Sequence, residues 1–143
     1  MAEPNAQTHI PSAIRIPPQS IDIEKALLGS IMLKPDVLND VNDIIAPDSF
    51  YAEKHRLIYK TMLELFAKSE PIDLLSLSAR LKEVNLLEKI GGRSYLTELV
   101  NTVPTATNAK NYAHIVQKKH MMRSLIGAAD FIAELGYDEA RDL

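Results

Sequence analysis

The feature that most constrains this 143-residue sequence is the stretch Asn108–Leu135, NAKNYAHIVQKKHMMRSLIGAADFIAEL. It holds no Pro and a single Gly, Gly127, and so predicts one helix of about 28 residues, roughly 42 Å long at 1.5 Å per residue. A small domain cannot bury a helix of that length from end to end. At 100° per residue, Tyr112, Ile115, Met122, Ile126, Ala129 and Ala133 form one stripe, and Met121, Leu125, Ala128, Ile132 and Leu135 form an adjacent one. From Met121 onward the apolar arc takes about half the circumference, more than one core contact uses. A second surface is expected to cover the remainder.

Charge order on the helix supports the same expectation. Lys110, Lys118, Lys119 and Arg123 come early, with no acid between Glu98 and Asp130, and Asp130, Glu134, Asp138, Glu139 and Asp142 come late. That order opposes the helix macrodipole, at a cost of tenths of a kcal/mol per charge. An antiparallel second copy crossing near Ile126 would set Lys119 and Arg123 of one helix beside Glu134 and Asp130 of the other. Self-association is therefore expected to use Ile115, Met122 and Ala129 with Lys119, Arg123, Asp130 and Glu134. A solvated charged edge on a monomeric helix is the alternative reading.

Leu, Ile and Ala dominate the apolar residues, and with three Phe, five Tyr and no Trp the chain suits helix packing better than a β-sandwich. The expected fold is all-α, a compact multi-helix bundle followed by a long helix that begins a helical hairpin. The length suffices for one core, divided into a flexible arm (1–15), a globular bundle (16–107) and a hairpin with a truncated second helix (108–143). A net charge of −3 gives no basic field over the whole chain. The absence of Cys excludes disulfides, thiolate zinc sites and thiol catalysis. No apolar run is long enough for a signal peptide or a membrane span, so no membrane partner and a cytoplasmic location are expected.

Local signals place the remaining elements. Pro4, Pro11, Pro17 and Pro18 mark an extended entry. Ser20 caps a helix through Leu33, with Asp22 and Glu24 in its first turn, and Gly29 inside it marks a close helix approach. A short helix follows Pro35, another covers about Ala52–Lys68, and Asp73 caps Leu74–Val84 with Leu74, Leu77, Leu81 and Val84 inward. Ile90-Gly91-Gly92 is a turn before a short helix over about Arg93–Asn101. Gly136 is expected to end the long helix, with Tyr137 opening the next.

None of the five glycines begins a G-x-x-x-x-G-K-[ST] or G-x-G-x-x-G pattern, so neither phosphate-cradling loop is present. His9, His55, His114 and His120 are scattered and read as surface or partly packed residues. Asp138-Glu139 and the Glu70/Asp73 pair read as caps or solvated charges. Lys118, Lys119 and Arg123 could touch phosphates, which leaves a helical DNA-contacting module as an alternative function, although only Tyr112 lies near for stacking. Catalytic, cofactor-binding and metal residues are expected to be absent, unless a partner supplies a nucleotide site.

Ile16-Pro17-Pro18-Gln19-Ser20 followed by Glu24-Lys25-Ala26-Leu27-Leu28-Gly29-Ser30 resembles the opening of the N-terminal domain of bacterial replicative DNA helicases of the DnaB family. Similar segments continue in order: Asp48-Ser49-Phe50-Tyr51 then His55, Pro71-Ile72-Asp73-Leu74, Gly91-Gly92-Arg93-Ser94-Tyr95-Leu96, and Pro104-Thr105-Ala106 then Asn108, Tyr112-Ala113 and Ile115-Val116. The resemblance covers about residues 14–143. It implies a helical bundle and hairpin whose copies pair, six of them forming a collar above a motor ring. It also implies docking of the C-terminal domain of primase and, as a further partner, a helicase loader. The primase contacts it implies fall at Tyr95, Ile126 and Ile132. ATP, Mg and translocation on single-stranded DNA would belong to a RecA-like motor that these residues do not include. Lys34 departs from the family pattern, which commonly has Asp at that helix entry.

Overall fold

The computed structural model describes residues 15–142. Among them are six α-helices and no strand: α1 (Ile21–Leu33), α2 (Leu38–Val41), α3 (Glu53–Ala67), α4 (Leu74–Glu83), α5 (Gly92–Thr102) and α6 (Ala109–Tyr137). Single 3-10 turns at Pro35–Val37 and Pro47–Ser49 precede α2 and α3. Both begin with proline, whose fixed φ suits a first helical position and whose missing N–H leaves no donor unpaired there.

The caps behave as their residue types require. Ser20 Oγ accepts from the Ile23 N–H at 3.3 Å, and Asp73 Oδ1 accepts from the Ser76 N–H at 2.7 Å. Hydrogen bonding from the backbone of Ser76, and then from its side chain, holds the Asp73 carboxyl below its usual range. Gly91 and Gly92 take φ of +107° and +75°, a region that only glycine enters without strain. A Cβ on Gly91 would also lie 2.9 Å from Tyr95 Cβ.

Helix α1 is the centre of the bundle, with Leu27, Leu28, Ser30 and Ile31 wholly buried and Ala26, Gly29 and Met32 buried beside them. It packs on α5 so closely that a Cβ on Gly29 would stand 2.1 Å from the Leu99 carbonyl oxygen. Phe50, Ile58, Tyr59 and Met62 from α3 and the turn before it complete one core with Leu77, Leu81, Ile90, Leu96 and Leu99. Val84 departs from the expected inward stripe. It caps α4 and is 38% exposed, because the helix has ended.

Contacts divide the chain into two units, Gln19–His120 and Met1–Pro18 with Met121–Leu143. The division falls within α6, between His120 and Met121, whereas sequence pattern put a boundary at 107/108. In the first unit α6 buries Ala109, Ala113 and Val116, which join the bundle core. The expected stripe through Tyr112 and Ile115 is only half-buried there. Small side chains at Ala109 and Ala113 let the helix backbone approach, and the larger neighbours on either side rim the contact.

Two further details differ from expectation. Gly136 lies within α6, which continues to Tyr137. Its φ is not positive, so it makes no left-handed cap, and the Asp138 N–H closes the end on the Glu134 carbonyl at 3.1 Å. Residues 138–142 form a turn rather than the start of a second helix. The expected flexible arm lies outside the described residues except at Arg15.

Candidate protein-docking surface

In the second unit, α6 carries its apolar side chains into solvent. Met121 is 57%, Leu125 71%, Phe131 58% and Ile132 66% exposed. At 100° per residue Met121, Leu125 and Ile132 fall within about 40° of one another, and Phe131 lies about 80° round from Met121, in the direction away from Ile126. Phe131 falls outside both expected stripes. No helix among the described residues is long and apolar enough to cross a membrane.

Ile126 has a different neighbourhood. It lines a small cavity of about 190 Å³ with Arg15, Ile16, Pro17 and Pro18. The guanidinium of Arg123 donates to the Pro18 carbonyl at 2.7 Å and ties that segment to the helix. Arg123 thus takes a structural role in addition to those expected from its charge. Lys118 is exposed and Lys119 half-buried, and Met122, Ala129, Asp130 and Glu134 are exposed.

Tyr95 belongs to the first unit, where it ends a buried polar chain. Glu24 on α1 is 2% exposed, and His55 on α3 is fully buried. The Glu24 carboxylate accepts from the Tyr51 N–H at 2.7 Å, the Ala52 N–H at 3.3 Å and the His55 Nδ1–H at 2.7 Å. Two of those donors are the backbone amides of the residues just before α3, so Glu24 ties the segment leading into that helix to α1. With the Nδ1 proton directed at Glu24, Nε2 accepts from the Tyr95 O–H at 2.5 Å, which satisfies all three groups. Burial, and then the charges of Glu98 and Glu24, push the Tyr95 phenol up to about 12. The phenol keeps its proton and is no nucleophile, despite a layout that resembles a relay.

His55 and Glu24 are the residues that sequence reasoning missed. Read as a surface or partly packed histidine, His55 is instead wholly enclosed, with its ring plane 17° from that of Tyr95 and their centroids 5.9 Å apart. His114 is exposed and His120 half-buried, as the scattered pattern suggests. Glu24 read as a first-turn acid favouring its own helix dipole. The usable signal was the pairing of an acid in α1 with a histidine near the N-terminus of another helix, two residue types that need partners when buried.

A family model described as DnaB-like helicase N terminal domain matches residues 16–118. The chain belongs to that family. The Bacillus subtilis replicative DNA helicase DnaC is 46% identical over 132 residues, covering 90% of this chain and 29% of the relative. The crystal structure of the N-terminal domain of DnaB helicase from Mycobacterium tuberculosis superposes with a TM-score of 0.86 at 38% identity, over 89% of this chain and 90% of that one. A DnaB-like replicative helicase whose structure was described with its interactions with primase matches at a TM-score of 0.72 and 34% identity, over 80% of this chain and 27% of that one. The chain thus spans under a third of the full-length helicases it matches, and as a DnaB-type N-terminal domain it is not the motor.

Within this DnaB-type domain, the three positions that the resemblance assigns to primase fall in both units: Tyr95 in the bundle, Ile126 and Ile132 in the second. Ile126 and Ile132 lie on separate stripes of α6, with different exposure and different neighbours. Ile115, expected in self-association, is half-buried in the bundle unit. No group of three or more His, Cys, Asp or Glu side chains fit to hold a metal occurs among the described residues.

Proposed function

We propose that this domain is the assembly and docking part of a replicative DNA helicase, working in the cytoplasm at the replication fork. In this reading a second copy covers part of α6, six copies form a ring, and the C-terminal domain of primase binds through Tyr95, Ile126 and Ile132. A helicase loader is a further partner. ATP, Mg and movement along DNA belong to a motor domain beyond these residues, and the parent protein is an ATP-dependent helicase. The relative described with primase supports the choice of partner.

The observation that carries the proposal is the run of exposed Met121, Leu125, Phe131 and Ile132 on one helix. Apolar area of that kind contributes roughly 25 cal/mol per Å² when covered, before the costs of association. Such side chains on one continuous helix suit a helix-on-helix interface.

Calorimetric titration with the C-terminal domain of primase tests it. Ile132→Asp is expected to weaken saturable binding at least 10-fold, while the circular dichroism spectrum stays that of the parent. Undiminished binding by a folded Ile132→Asp would remove this face from the primase interface. A dependence of DNA affinity on salt as steep as several phosphate contacts produce would instead favour the basic residues of α6 as a DNA-contacting surface.

A further inference from the structure

We infer that Glu24 and His55 are positioning residues for Tyr95, holding its ring in advance in the geometry that a docking partner meets. The inference rests on the docking reading above and adds two residues to it, neither of which can reach a partner. Glu24 and His55 are both buried, so any effect they have on binding must pass through a side chain that reaches the surface. Tyr95 is that side chain.

The ring is constrained from several directions. Its hydroxyl is bonded to His55 Nε2, and its plane lies 17° from that of the histidine ring. The Lys54 ammonium lies over the ring, 3.8 Å from the centroid. Lys25, paired with Glu98, approaches to 5.9 Å. At its base, Gly91 makes room for Tyr95 Cβ where any side chain would collide. A tyrosine held at the hydroxyl, the ring face and the backbone has little rotamer freedom left to lose on binding, which is how aromatic anchors gain affinity without new contacts.

The polar network also has a direction. Glu24 is saturated by two backbone amides and one imidazole N–H, and this fixes the tautomer that leaves Nε2 to accept. The histidine therefore accepts from the phenol rather than competing with it as a donor. An apolar pair at positions 24 and 55 would fill the space but give the Tyr95 hydroxyl no anchor. The three residues come from α1, α3 and α5, so Tyr95 reports the packing of all three helices at the surface.

A double-mutant cycle with the C-terminal domain of primase tests the inference. Tyr95→Ala is expected to weaken binding at least 10-fold, and Tyr95→Phe, which keeps the ring and loses the anchor, by about 3- to 10-fold. His55→Phe, or His55→Gln should the first variant not fold, is expected to lose as much as Tyr95→Phe, and the double variant no more than either single one. Nitrogen NMR of the His55 ring should show Nδ1 protonated and Nε2 bare, with Tyr95→Phe moving the Nε2 resonance and leaving Nδ1 in place. Additive losses in the double variant would overturn the inference, as would normal binding by a folded Tyr95→Ala. Normal binding by Tyr95→Ala together with loss in Ile132→Asp would defeat this inference alone. Normal binding by both would defeat the docking reading as well.

Discussion

Tyr59 shows what a single residue can cost. Its ring packs 5.2 Å from that of Phe50 in the middle of the core, fully buried, and its hydroxyl has no hydrogen-bond partner among the described residues. An orphan hydroxyl forfeits its hydration with nothing in return. Tyr59→Phe keeps the ring and is expected to raise stability by about 1 kcal/mol in urea unfolding. Burial also pushes the Tyr59 phenol up from 10.0 to about 12. The raised value means that the unfolded chain releases this proton first, so stability falls as pH rises from near 10 toward 12. Tyr59→Phe should flatten that part of the alkaline loss. An equal alkaline slope in parent and variant would show that the hydroxyl is solvated. The same residue scale separates Tyr59 from Tyr95, whose hydroxyl has a partner in His55 and whose removal is expected to cost stability rather than add it.

Helices α1 and α5 meet at a close backbone contact as well as through their buried side chains. Gly29 is the reason, since any Cβ there would press on the Leu99 carbonyl in α5. Gly29→Ala raises helix propensity by up to about 1 kcal/mol, yet separation of the two helices should outweigh it and leave a net loss of at least about 2 kcal/mol. A thermal melt decides the sign, and a variant more stable than the parent would mean that α5 yields easily. Gly29 was legible as a close approach because a glycine in mid-helix needs a packing reason. Gly136 was read as a helix stop by the same kind of rule, but the stop requires a left-handed φ that the chain does not adopt there. Gly29 is distinguished by its tertiary contact, whereas no neighbouring atom among the described residues lies within 4 Å of a Cβ built on Gly136.

At the scale of the whole chain, the long helix joins two regimes. Its first part contributes Ala109, Ala113 and Val116 to the bundle core, and its second part leaves most of its apolar residues exposed. Leu125 is the most exposed of the four that define the docking face, at 71%. Leu125→Asp is therefore expected to leave the melting temperature of the chain nearly unchanged while reducing self-association at least 10-fold in sedimentation. A variant that melts many degrees lower would place Leu125 in a core, and one that associates like the parent would place the self-contact elsewhere on α6.

Periodicity, prolines and caps were enough to determine the helical class, most helix positions, the turns at Pro35 and Gly91-Gly92, and the surplus of apolar surface on α6. These are local properties, set by hydrogen bonds and side-chain spacing within a few residues. The ordered family segments extended that reading to a DnaB-type domain. Which two residues stand behind Tyr95 depended on contacts across 31 and 40 residues of sequence, and which arc of α6 is buried depended on its packing into the bundle core. No local pattern specifies them, because an acid in a first turn and a lone histidine look the same whether they face water or each other. Only the packing of α1, α3 and α5 brings Glu24, His55 and Tyr95 within hydrogen-bond reach, and burial then makes each of them require the next.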